Sequence, residues 1–194
     1  SQPAWAALAI AALAILAAIA WMREGKLDDI SSGLLVAGTA ALAVFAADRL
    51  LDGVWLTMAI AALAAAMAWW GLRLATSWLG PVAAALGALA AIRLFLAREL
   101  WTEDRTLPLG AHWPLYGYGI PVLLLWQGAR FLRRTGREPF AVALEGASLG
   151  LAISLVSLEL RVLIGGNITV EDPSFLEMAA HVMAWLGAAY GLMY

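Results

Sequence analysis

Cysteine is missing from this 194-residue chain, which excludes disulfides, thiol catalysis and iron–sulfur ligation. Charge is scarce: 13% of the residues are Asp, Glu, Lys or Arg, against about 25% in an ordinary soluble domain. The one lysine, Lys26, sits in a polar stretch with Arg23 and Glu24, so a Schiff base inside a helical bundle is excluded. The net charge is −2 and the cationic residues are scattered, which leaves nucleic acid no electrostatic footprint. A phosphate-cradling glycine loop, a serine nucleophile elbow and a zinc-protease helix motif are also missing. So is an arginine-rich gating helix. No cofactor is expected.

What remains is apolar. Ala, Val, Ile, Leu, Met and the aromatic residues make up 63% of the chain, and the mean hydropathy is +0.83. Too little charge is present to cover a water-facing surface, so the chain reads as solvated by lipid. A helix needs about 20 mostly apolar residues to cross the hydrocarbon layer. Seven runs of that kind, bounded by charge, proline or glycine, fall at 4–22, 30–47, 54–72, 78–97, 113–132, 139–164 and 174–194. The expected fold is an all-α integral membrane protein with seven transmembrane helices in one domain. Trp55 and the Trp69-Trp70 pair bracket the third run, where interfacial aromatic belts are expected.

Arginine and lysine counts orient the chain. One set of connections carries Arg23, Lys26, Arg73, Arg130, Arg133, Arg134 and Arg137; the other carries Arg49, Arg98, Arg105 and Arg161, diluted by acidic residues. The positive-inside rule puts the first set, including the 130–137 loop, in the cytoplasm and residue 1 outside. A chain beginning at Ser1 on the outer side reads as a piece of a longer protein. The alternative is that Ala4–Met22 is an uncleaved anchor.

A spacing recurs. Arg93 precedes Glu103-Asp104, and Arg161 precedes Glu171-Asp172, by ten residues in each case; His112 and His181 follow, one residue out of register. This suggests that spans four and five repeat as spans six and seven, two helical hairpins stacked side by side. Coincidence in a low-complexity apolar sequence is the other reading.

Ionisable residues inside spans are costly and mark functional candidates. Arg93, Glu159, Arg161, Glu177 and His181 form the candidate polar pocket, near the outer surface. The arginines either snorkel and pair locally, or contact an anionic substrate or lipid headgroup. Glu145, near the arginine-rich loop, reads as one half of a helix-end salt bridge. Glu177 and His181 are four apart and share a helix face. With His112 they could hold a metal, or the two histidines a haem, but two ligands on one helix are too few for a metal site and a hydrogen-bonded helix pin is favoured. Pro114 and Pro121 bracket Tyr116-Gly117-Tyr118-Gly119, predicting either a simple kink or a locally unwound pocket wall. Gly146 with Gly150, and Gly187 with Gly191, are spaced for close helix packing.

The run Trp113-Pro114-Leu115-Tyr116-Gly117-Tyr118-Gly119-Ile120-Pro121 resembles the aromatic segment of a bacterial membrane protein family catalogued as domain of unknown function 2339. Leu158-Glu159-Leu160-Arg161-Val162-Leu163-Ile164-Gly165-Gly166, followed by Pro173-Ser174, Glu177 and Ala184-Trp185-Leu186, is similar to a second element of that family. Leu51-Asp52-Gly53-Val54-Trp55-Leu56-Thr57 is similar to a third. The resemblance covers about residues 45 to 194. Ile164 stands where many members have His, and His181 where they often have Tyr. The resemblance implies a polytopic protein of the bacterial inner membrane, longer than this chain, and no activity. The expected function is a non-enzymatic scaffold or accessory subunit, partnered by lipid and by other transmembrane helices. The alternative is a transporter or lipid-substrate enzyme with an outward-facing polar pocket.

Overall fold

A computed structural model describes residues 29–74, 77–96, 113–165 and 175–193, with isolated helical positions at Leu13, Ala17 and Ala20. The described residues contain six helices and no strand: α1 (Asp29–Asp48), α2 (Val54–Trp70), α3 (Leu79–Leu96), α4 (Trp113–Arg134), α5 (Glu138–Gly165) and α6 (Phe175–Met193). Prolines mark the starts of three of them. Pro81, Pro114 and Pro139 all fall in a first turn, where the missing N–H has no intrahelical partner to lose.

The described residues are thus all-helical apart from turns, and among them three helices are long and apolar enough to cross a membrane: Ile30–Asp48, Leu79–Leu96 and Glu138–Arg161. This is fewer than the seven expected, for identifiable reasons. Val54–Trp70 is apolar but has 17 residues, a rise of roughly 26 Å. The side chains at both ends of α6 lie outside the described residues, which leaves Met178–Gly187 as its described apolar stretch. In α4, Tyr116, Tyr118, Gln127 and the arginines at 130, 133 and 134 dilute the apolar character. The expected span 4–22 lies outside the described residues apart from its three isolated positions.

Four helices form the core, in the order α2, α4, α5, α3 around a ring; each packs closely on its two neighbours, and the α3–α4 diagonal barely touches. Trp55 near the start of α2 meets Tyr116 near the start of α4, their ring centroids 6.3 Å apart, so these two helices run in the same direction. Gly80, at the start of α3, lies against Phe140, at the start of α5, so the second pair is parallel too. The tightly packed hairpins are α2–α3 and α4–α5. The sequence spacing had paired α3 with α4 and α5 with α6. Short connections decide the matter: three residues, 135–137, join α4 to α5, and a short link imposes an antiparallel neighbour. The 97–112 and 166–174 connections that carry the sequence spacing lie outside the described residues. The α4–α5 link is a Schellman turn. Gly136 has φ 71°, its N–H bonds the Arg133 carbonyl at 3.0 Å, and the Arg137 N–H bonds the Leu132 carbonyl at 3.0 Å; glycine adopts that backbone without a Cβ clash.

The core mixes small and large side chains. Ala61, Ala64, Ala68, Ala83, Ala90 and Ala129 have no accessible surface or almost none, whereas Leu34, Trp55, Leu96, Leu123, Leu163 and Met183 are more than 60% exposed. Alanines and glycines at the contacts let helix backbones approach closely, while leucines such as Leu79, Leu94, Leu125, Leu132 and Leu151 fill the space between them. The closest approaches occur at Gly87 and Gly128. A Cβ at Gly87 would overlap Cδ2 of Leu144, and one at Gly128 would lie 3.2 Å from Cδ1 of the same residue and 3.4 Å from Cα of Ala65. Leu144 is thus the fully buried knob on which α3 and α4 close, with α2 behind Gly128. The glycines marked in the sequence are not these. A Cβ at Gly146, Gly150 or Gly187 meets nothing within 4 Å, because the core-facing stripe of α5 runs through Ala141, Leu144, Leu151 and Leu158; the surroundings of Gly191 lie outside the described residues.

Two outcomes are expected. Gly87→Ala and Leu144→Ala each lower the melting temperature in detergent, and the double variant loses less than the sum, since each removes what the other collides with or leaves void. Thr57 is fully buried, and its hydroxyl has no hydrogen-bond partner among the described residues; Thr57→Val, of nearly the same shape, raises stability by about 1 kcal/mol in the same assay.

Candidate functional site

The described residues of the candidate polar pocket do not share one cavity. Arg161 and His181 meet: both line a cleft of about 470 Å³ between α5 and α6, with Ser157, Trp185 and, from α3, Phe95. Arg93 lines a different cavity, a groove of about 960 Å³ between α1 and α3 floored by Leu56 and Ile60 of α2. Glu159 borders neither of these, and its Oε1 is buried with no hydrogen-bond partner among the described residues. The Glu177 side chain and His112 lie outside the described residues.

Within the cleft, His181 and Trp185 are one helical turn apart and converge on one residue of α5. The His181 Nε2 is 3.1 Å from the Ser157 carbonyl oxygen, and the Trp185 indole N–H donates to the Ser157 hydroxyl at 3.2 Å. If the ring carries its proton on Nε2, His181 donates to that carbonyl. Ser157 is thus the anchor of α6, which packs on α5 and on no other described helix with comparable closeness. The sequence had marked His181 as a helix pin; Ser157 and Trp185 were missed, though the i, i+4 spacing of His181 and Trp185 was available as a signal. Gly150 lines this cleft, so its missing side chain makes room in the cleft. Among the described residues no group of three or more His, Cys, Asp or Glu is placed to hold a metal ion.

The aromatic segment is helical throughout. α4 continues unbroken from Trp113 to Arg134 with Pro121 inside it, so the local unwinding considered for this stretch does not occur. Pro114, Pro121 and Tyr118 are fully buried, and Pro121 withholds only the N–H that would meet the Gly117 carbonyl. Neither Tyr116, Gly117, Tyr118 nor Gly119 lines the groove or the cleft. The Tyr118 hydroxyl instead lies 3.4 Å from the Leu94 carbonyl oxygen, a long contact at the last turn of α3. The Ser148 hydroxyl donates to the Val122 carbonyl at 2.9 Å and ties α5 to the middle of α4.

At the opposite end the charges are arranged differently. Arg133 and Glu145 form a salt bridge at 2.5 Å, half exposed, of the kind expected for Glu145. Arg73 lies over the Trp69 ring, 5.8 Å from its centroid, and Arg130 over Trp126 at 4.8 Å. Both arginines are exposed and hold their guanidinium groups against an aromatic face, a cation–π arrangement. Arg137 is inserted between the two hairpin turns, against Gly71 and Gly80; burial there pulls its guanidinium below the usual value.

Comparison with protein-family models, with curated proteins and with solved structures returned no match.

Replacing His181 with Leu and Trp185 with Phe together is expected to leave α2–α5 intact and to release α6. Hydrogen exchange should accelerate selectively in 175–193 by roughly tenfold, the scale of two interhelical bonds in lipid; uniform acceleration over all helices would refute the pin.

Proposed function

We propose that this chain acts as a polytopic protein of the bacterial inner membrane, a non-enzymatic scaffold or accessory subunit of a membrane or envelope complex. The observation that carries this reading is the open flank of α6. Among the described helices α6 packs mainly on α5, and Met178, Val182, Met183, Trp185 and Leu186 are 49 to 70% exposed. A face so apolar needs lipid or another helix. The separation of Arg93 from Arg161 and His181 supports the same reading, since a small-molecule site would draw its polar groups into one cavity. The resemblance to the family of domain of unknown function 2339 and the seven-span topology, with the 130–137 loop in the cytoplasm, belong to this proposal. A second reading, a transporter or lipid-substrate enzyme, is favoured by the cleft in which Arg161 and His181 do meet.

The test uses the cysteine-free background. The chain is expected to stay in the membrane pellet after alkaline carbonate extraction, and a photo-crosslinking residue at Met183 is expected to capture a defined protein partner. Release by carbonate refutes the membrane reading. Adducts to lipid alone refute the scaffold and leave the cleft as the working site.

A further inference from the structure

The groove between α1 and α3 has a polarity gradient along its length. Its walls are Ala37, Ala40, Ala41 and Val44 on one side and Val82, Ala85 and Leu89 on the other, and its charged residues, Asp48 and Arg93, come from the last turns of the two helices. From Val82 to Leu96 the α3 wall rises roughly 21 Å, more than the roughly 15 Å of one hydrocarbon leaflet. The Nε of Arg93 is buried without a hydrogen-bond partner among the described residues, a costly state unless something else accepts from it. Arg49 adds a second cation beside the charged end, its guanidinium 5.0 Å from the centroid of Phe45, itself a lining residue.

We propose that this groove holds one glycerophospholipid of the surrounding bilayer, with its phosphodiester at Arg93 and an acyl chain along the alanine-lined wall. The proposal rests on the membrane reading above. Arg49, Arg93 and Asp48 sum to a single positive charge, which matches one phosphodiester. Asp48, at the carbonyl end of α1 where the helix dipole also favours a cation, is placed to receive a headgroup ammonium. Residues 4–22, one other occupant within the chain, contain no acidic residue and offer Arg93 no anion. The α1 wall is made mainly of alanines, so the open volume in the groove is suited to a chain of methylenes more than to a second side-chain layer.

The experiment places the full chain in nanodiscs of mixed phosphatidylethanolamine and phosphatidylglycerol and counts retained lipids by native mass spectrometry. The wild-type chain is expected to keep one phospholipid. Ala85→Trp, which fills the apolar wall, and Arg93→Gln, which removes the cation, should each lower the retained fraction roughly tenfold with helicity unchanged by circular dichroism. Equal retention in all three overturns the proposal. A photo-crosslinking residue at Leu89 should yield a phospholipid adduct; an adduct to residues 4–22 or to a second copy overturns it as well. A chain that does not enter the nanodiscs at all defeats the membrane reading, whereas one that enters and retains no lipid defeats only the groove.

Discussion

The position of Leu144 constrains the rest of the bundle. Its two methyl groups face Gly87 on α3 and Gly128 on α4, and the Cα of Ala65 on α2 lies behind the second glycine. A Cβ on Gly87 would collide with Leu144 and force it to shift, and one on Gly128 would press on its other methyl, so α3 and α4 come close to α5 where two elements are bare and the third is bulky. In lipid no hydrophobic force draws helices together, and association depends on contact area and backbone proximity. The alanines that line the remaining interfaces extend the same solution along the axis.

Parallel stacking of two hairpins follows from this closure together with the links. A three-residue Schellman turn fixes α4 against α5, and Arg137, the residue after its glycine, reaches across to the turn and first residues of the other hairpin at Gly71 and Gly80. The arginine therefore lies where both hairpins are closed, and its guanidinium is drawn partly out of water by that packing. At the far end Tyr118 meets the Leu94 carbonyl and Trp55 meets Tyr116. α1 and α6 are satellites on this ring, each joined to it along one side.

The helices and their approximate bounds were legible because apolar runs of this length, broken by charge and proline, have few other folds open to them. Their partners were not. Hydropathy is nearly uniform around α1, α2, α3 and α5, so it carries little information about which face of them turns inward, and alanine is too frequent for any one glycine pair to stand out. That is why Gly146 and Gly150 looked like packing positions when Gly87 and Gly128 held that role. The Arg93 and Arg161 spacing was a pattern along the chain, and it did not bring the two arginines into one cavity. The partnership of Glu145 with the arginine-rich loop was readable because it spans one tight turn. His181 was readable as a pin, but the serine it meets could not be deduced without knowing how α6 rotates against α5.

The unequal lengths of the core helices carry a consequence for the bilayer. α5 has 28 residues and α2 has 17, rises of roughly 42 and 26 Å, yet they belong to the same ring. No flat hydrocarbon layer matches both. In a membrane of about 30 Å the long helix must lean or protrude, while the layer beside the short one thins. The bundle would then meet lipid with a rim of uneven height, and a change of acyl-chain length would alter its tilt before it altered any contact inside.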